Sequence, residues 1–279
     1  EQQAAIDKPV AVPMPGATLW SHKNPKLYDL EILLTQGGEI VDRVGSYFGM
    51  RKISLGKDVL GRTRILLNNQ PVFQYGLLDQ GFWPDGLYTA PNDEALRYDI
   101  EVTKALGFNL IRKHVKVEPA RWYTWCDRLG MLVWQDMPNG DRFLNVFKPV
   151  PDPDLIRSRG SAEQYQRELS RMITNLENHP SILIWIPFNE GWGQFDTARI
   201  TEWIRRRDPS RLVDSASGLV DRGTGDVNDL HNYLGLSVPA PEADRAVVLG
   251  EFGGLGRRVE GHMWPDTGAW ASRTVNARD

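Results

Sequence analysis

Two glutamates attract notice because each ends an apolar run. Residues 182–186 read Ile-Leu-Ile-Trp-Ile and lead through Pro187 and Phe188 to Asn189 and Glu190, while residues 246–249 lead through Gly250 to Glu251 and then to Phe252, Gly253 and Gly254. A carboxyl at the mouth of a buried strand, walled by Trp185 and Trp192 if these point inward, is desolvated; that raises its pKa and suits a general acid near neutral pH. The glycines after Glu251 let backbone or ligand approach closely. Taken singly, Glu190 reads equally well as a helix cap and Glu251 as a salt-bridged strand end. As a pair they read differently. Two carboxyls ~5–5.5 Å apart can carry a double displacement on a glycoside, one as nucleophile and one as acid and then base. Asn189 is placed to donate a hydrogen bond to a substrate hydroxyl.

Such a pair needs a scaffold that brings distant strand ends together. From about residue 63 the chain alternates strand and helix patterns. Strands are expected at 72–78, 108–111, 131–134, 182–186, 212–213, 227–233 and 246–249, and helices at 92–106, 118–129, 161–178 and 195–207. Asn92 reads as a cap, Gly107 and Gly130 as stops, and Leu169, Met172, Ile173 and Leu176 as a helical apolar stripe. The alternation predicts a parallel sheet with helices outside it. Polar residues gather just after the strands: Asp79, Arg112 to His114, Gln135 and Asp136, Asn189 and Glu190, His231, and Glu251. A barrel draws its chemistry from many strand ends, whereas an open doubly wound sheet draws it from one switch point, so an α/β TIM (β/α)8 barrel is expected. No strand–helix pattern follows in 252–279, so the barrel reads as truncated before its eighth strand. Residues 1–62 read instead as β structure, with strands near 27–33 and 40–47 around a Gln36-Gly37-Gly38 turn, a piece too small to stand alone. The expected division is 1–62, the end of a β-sandwich, and 63–279, the barrel.

Composition removes several other classes. A net charge of −3 without basic or acidic blocks argues against nucleic acid as a partner, and no apolar run approaches the ~20 residues that span a bilayer. The first dozen residues lack the basic-then-apolar order of a signal peptide. Cys126 is the only cysteine, which excludes an intrachain disulfide and is compatible with cytoplasm or periplasm; inside a helix pattern it reads as a packed thiol. His22, His114, His179, His231 and His262 show no His-x-x-His or His-x-x-x-His spacing, so no metal and no cofactor is expected. Gly-x-Ser-x-Gly, Gly-x-Gly-x-x-Gly and phosphate-loop motifs are absent. Among the ten tryptophans, Trp83, Trp192 and Trp264 fall in loops where an indole could line a sugar subsite. Lys113 and Lys116 read equally well as solvent-facing charges.

Phe188-Asn189-Glu190 after a Trp-containing strand, followed some sixty residues later by Gly250-Glu251-Phe252-Gly253, resembles glycoside hydrolase family 2, whose members include β-galactosidases, β-glucuronidases and β-mannosidases. The resemblance runs over nearly the whole chain. Trp20-Ser21, Pro25 to Tyr28 and Gly49-Met50-Arg51 resemble the end of the family's immunoglobulin-like sandwich. Residues 68–75 resemble its entry to the barrel, Asn109 to Arg112 its second strand and Val133 to Asp136 its third. The resemblance implies a retaining glycosidase acting on a carbohydrate, β-galactoside being the first expectation. It implies Glu190 as acid/base, Glu251 as nucleophile, Asn189 on the sugar 2-hydroxyl, Tyr233 bonded to the nucleophile and Arg112 supporting its charge. An Arg beside Glu251 should keep it ionised while Glu190 stays protonated. His114, Asp136, His231, Trp192 and Trp264 complete the expected sugar contacts. The sequence also departs from the family. His114 sits one position earlier than the family's Arg-x-x-His, Asp79-Gln80-Gly81-Phe82-Trp83 replaces the His-rich motif of well-known β-galactosidases, and the Asn-x-Lys of glucuronidases is not evident. The alternatives are a non-catalytic carbohydrate-binding module or an inactive, truncated fragment.

Overall fold

The computed structural model describes residues 2–6, 8–144, 154–233, 235, 240–261 and 271–275. Strands β1 (Tyr28–Gln36) and β2 (Glu39–Phe48) form an antiparallel hairpin closed by Gly37 and Gly38, both at positive φ. That two-residue turn matches the twist of the strands. The hairpin is largely exposed and meets the rest of the chain at its base, where the Tyr47 hydroxyl donates to Asp127 Oδ2 (2.7 Å). Strands β3 (Ile53–Lys57), β4 (Thr63–Leu67) and β5 (Gln70–Pro71) make a second small sheet. The turn 58–62 joins β3 to β4, so this sheet takes strands from both sides of residue 62.

Strand β6 (Gly76–Asp79) opens the parallel sheet. The apolar run at 72–78 is split rather than forming one strand, because Val72 N still bonds Ile65 O in the small sheet (3.3 Å) and Phe73 is exposed. A Cβ on Gly76 would overlap the Leu110 carbonyl, so glycine sets the close approach of the first two parallel strands. The remaining elements follow in order: α1 (Asp93–Ala105), β7 (Leu110–Lys113), α2 (Ala120–Leu129), β8 (Leu132–Asp136), α3 (Arg159–Leu176), β9 (Ile182–Ile186), α4 (Thr197–Arg207), β10 (Leu212–Val213), β11 (Val227–Asn232), β12 (Ala246–Phe252) and a separate two-residue parallel pair, β13 (Leu255–Gly256) and β14 (Arg273–Thr274). Asn92 caps α1 by accepting from Ala95 N (2.8 Å), and α2 ends at left-handed Gly130.

Strands β6 to β10 pair in chain order, β11 pairs in parallel with β12, and Asp226 N to Val213 O (2.7 Å) links the two sets. Sequential parallel neighbours with helices between them are the TIM-barrel arrangement, without the strand-order reversal of a doubly wound sheet. Side chains alternate accordingly. Ile111, Val133 and Val213 point to the helix layer with Ile100, Trp122 and Ile173. Leu110, Leu132, Trp134, Ile184, Leu212, Val227 and Ala246 point inward and meet Ile53, Ile65 and Leu67 of the small sheet, which closes the barrel floor. Among the described residues no helix is long and apolar enough to cross a membrane.

Candidate active site

Alternation on β7 and β8 sends Arg112 and Asp136 into the barrel mouth on the same side as Leu110 and Leu132. Arg112 is buried and fully engaged. Its Nε and Nη2 reach Asp136 Oδ1 and Oδ2 (both 3.0 Å), Nη2 donates to Asn189 Oδ1 (2.8 Å), and Nη1 donates to Glu251 Oε1 (3.0 Å). Burial alone would lower the guanidinium pKa, but the Asp136 and Glu251 charges outweigh it and keep the cation fixed.

Glu251 reaches the mouth through a local irregularity. The β11–β12 register shifts between Leu230 and His231, so that His231 lies opposite Glu251 rather than Gly250. The Tyr233 hydroxyl donates to Glu251 Oε2, and burial together with that carboxylate raises the phenol pKa. Glu190 follows β9 with φ 51°, a strained left-handed value for a residue with a side chain. The strain is held by Glu190 N to Ser217 O (2.8 Å) and Trp192 N to Asn189 O (2.9 Å). Glu190 is the more open of the pair, its side chain 24% exposed against 6% for Glu251. One carboxylate oxygen of each lies within 4.8 Å of the other.

His231 is fully buried. Its Nδ1 lies 2.8 Å from Glu190 Oε1 and its Nε2 2.9 Å from Ser217 Oγ. Ser217 in turn donates to Asp229 Oδ2 (2.5 Å), and Gly250 N donates to Asp229 Oδ1 (2.7 Å). The sequence reading puts His231 among the sugar contacts, whereas the structure sets the ring behind Glu190 with both nitrogens partnered. This changes the expected electrostatics. The His231 hydrogen bond, against the opposing effect of burial, holds Glu190 below the ordinary glutamate value, so desolvation does not raise it. Burial would lower His231, but the Asp229 carboxylate 3.6 Å from Nε2 and the bonded Glu190 lift it to about 9.

His114 sits above this layer. Gln80 Nε2 lies 3.0 Å from its Nδ1, so the neutral ring carries its proton on Nε2. Burial keeps His114 below its ordinary pKa. Its Nε2 has no hydrogen-bond partner and lies 3.7 Å from Glu251 Oε1. Trp192 is half exposed and packs on Phe143 with ring centroids 4.9 Å apart. Trp185 does not wall the mouth; it lies in the helix-side core and donates from Nε1 to Asp208 Oδ2 (2.8 Å). Trp264 lies outside the described residues. Lys113 and Lys116 are not solvent-facing. Lys113 bonds Asp79 (2.6 Å) and Glu118 (2.9 Å), and Lys116 bonds Glu118 (2.9 Å) and the Gly81 carbonyl (2.6 Å).

Glu190, His231 and Glu251 offer donor atoms close enough for a metal. Arg112 already supplies the positive charge on Glu251, so the cluster reads as an ion-pair network. Sequence reasoning missed Ser217, Asp229 and Gln80. Asp229 was within reach, since it shares the period-2 face of Val227 and His231; Ser217 lies in a loop with no such signal.

The profile for glycosyl hydrolases family 2, TIM barrel domain, matches residues 62–239, and that for glycosyl hydrolases family 2 matches residues 1–51. The chain is 30% identical over 230 residues to a β-galactosidase of Leuconostoc mesenteroides, covering 81% of this chain and 20% of that protein. It is 26% identical over 220 residues to a putative β-glucuronidase of Formosa agariphila, covering 78% and 20%. It therefore spans about a fifth of the length of the curated relatives it matches. A β-glucuronidase structure from Parabacteroides merdae superposes with a TM-score of 0.60 at 20% identity, covering 77% of this chain and 26% of that one.

Proposed function

The chain belongs to glycosyl hydrolases family 2, and we propose that it carries the catalytic barrel of a retaining β-glycosidase, residues 63–279, preceded by the end of an immunoglobulin-like sandwich within residues 1–62, of which β3 goes with the barrel floor. The observation that supports this best is the carboxylate pair within 4.8 Å, one member clamped by Arg112 and Tyr233. Inverting enzymes separate their carboxyls by ~6.5–9.5 Å to admit a water. Glu251, its oxygens bonded by Arg112 and Tyr233, attacks the anomeric carbon. Glu190 protonates the departing oxygen and then activates the water that releases the sugar. Asn189 and the Nε2–H of His114 face the sugar hydroxyls, and Trp192 flanks the leaving group.

A neutral sugar, β-galactoside first, suits the site better than a uronate. Arg112, Lys113 and Lys116 are already engaged by protein carboxylates and carbonyls. The β-galactosidase named above points the same way, and the two β-glucuronidases the other.

The test is hydrolysis of nitrophenyl β-galactoside and β-glucuronide, with the first-formed anomer followed by NMR. The expected result is turnover of the galactoside with the β anomer appearing first; early α anomer overturns retention, and preference for the glucuronide overturns the sugar assignment. Glu251→Gln is expected to lower kcat by roughly 10³-fold or more on every substrate. Glu190→Gln is expected to cost roughly 10²–10⁴-fold with a poor leaving group and far less with dinitrophenol, which departs without a proton.

A further inference from the structure

Three groups line up behind Glu190: His231, Ser217 and Asp229. Their hydrogen bonds have a fixed direction. Asp229 accepts from Gly250 N and from Ser217 Oγ. The single Ser217 proton is spent on Asp229, so Ser217 accepts from His231 at 2.9 Å, which puts a hydrogen on Nε2; Arg112 Nη1, the other group near that nitrogen, is farther off at 3.5 Å. Nδ1 is the only position free to gain or lose one, and it faces Glu190 Oε1 at 2.8 Å. Two glycines make room for this line. A Cβ on Gly218 would strike the His231 ring at 2.6 Å, and one on Gly250 would overlap the Asp229 carboxylate.

We propose that His231 is the positioning residue of the acid/base, sharing one proton with Glu190 along the Nδ1–Oε1 bond while Ser217 and Asp229 anchor its far side. In one state the imidazolium donates from Nδ1 to the Glu190 carboxylate. In the other the Nδ1–H bond is broken, an O–H bond is formed on Glu190, and the ring is the neutral Nε2–H tautomer. The proton count and the net charge of the pair are the same in both. The pair thus keeps the acid supplied with a proton above the ordinary carboxyl range, although Glu190 by itself is held low. The other charged groups facing the ring are Glu251, 3.6 Å from Nε2, and Arg112, 3.5 Å from it. The Asp214 carboxyl behind Asp229 is raised by burial and by the Asp229 charge, which leaves Asp229 the anion that favours the imidazolium.

The role as acid/base partner rests on the reading of Glu190 above, so the first measurement does not depend on turnover. The whole chain is labelled with ¹⁵N-histidine and followed by long-range ¹H–¹⁵N spectra from about pH 5 to about pH 10. His231 signals are identified by their loss in His231→Asn. The expected result is a protonated Nε2 throughout and an Nδ1 that titrates near pH 9, moving down by about one pH unit or more in Glu190→Gln. Titration near the ordinary value of about 6.5, or no shift in Glu190→Gln, overturns the shared proton. Failure of the glycosidase reading shows separately, as absent turnover with the titration intact. Where turnover is measured, the alkaline limb of kcat/KM is expected to coincide with the NMR titration and to fall by about one pH unit or more in His231→Asn. An unmoved limb with a uniformly lower rate would make His231 merely structural.

Discussion

At the residue scale the site is a set of side chains whose protonation states depend on one another. His231 shows this through stability as well as chemistry. Its folded pKa, about 9, lies above the unfolded value of about 6.5. The stabilisation is therefore complete below about pH 6.5 and lost as pH rises through about 9; a shift of this size corresponds to the order of 3 kcal/mol for the network as a whole. Urea midpoints are expected to fall between neutral pH and about pH 9 in the wild type and to fall less in His231→Asn. Gly218→Ala forces a Cβ against the same ring at φ +91° and is expected to lower both stability and the His231 pKa. The two glutamates and Arg112 were legible in the sequence because each ends or follows a buried run. The His231–Ser217–Asp229 line was not, because three separate segments meet there and the hydrogen-bond direction belongs to the assembled fold. For the same reason the expectation that burial raises Glu190 fails: a hydrogen bond from a cation outweighs it.

At the element scale, strand–helix alternation and glycine stops located the helices to within a few residues, since amphipathic period and capping are local properties. Where the reading departs from the structure, tertiary contact decides. The run at 72–78 divides between two sheets, and Trp185 turns outward because strand parity sets its face and Asp208 takes its indole N–H. The β11–β12 register shift that brings Glu251 to face His231 is likewise invisible in composition. The loop after β6 depends on buried charge. Lys113 and Lys116 share Glu118 Oε1, while Asp79 takes a second bond from Lys113 and accepts from Gly81 N (2.7 Å). Removing the shared carboxylate leaves two ammonium groups with one counter-ion between them. Glu118→Gln is expected to cost about 3 kcal/mol or more in chemical denaturation. Because Gln80 sits on this loop, a raised KM should accompany the loss, and an unchanged melting profile would show the network to be dispensable.

At the scale of the whole molecule, this chain combines a well-packed floor and helix layer with sheet edges that have no strand beside them among the described residues. Strand β6 exposes Leu77 and Leu78, and the β1–β2 hairpin exposes apolar side chains on its surface. Ile32 and Val44 are directly opposed across the hairpin and are 54% and 49% exposed, with Leu30, Leu34 and Ile40 also exposed on the same two strands. An apolar two-stranded ribbon with free edges is a template for pairing with a second chain, and the flanking Glu31–Arg43 ion pair offers little repulsion because it is internally neutral. The isolated chain is therefore expected to self-associate in solution as its concentration rises. Light scattering should show a concentration-dependent mass, and Ile32→Lys with Val44→Lys should return it to monomer without altering the site, since the hairpin meets the barrel through Tyr47 and not through these residues. Association unchanged by the two lysines would move the contact to the β6 or β12 edge, and there a change in the His231 titration on dilution would reveal it, because β12 carries Glu251.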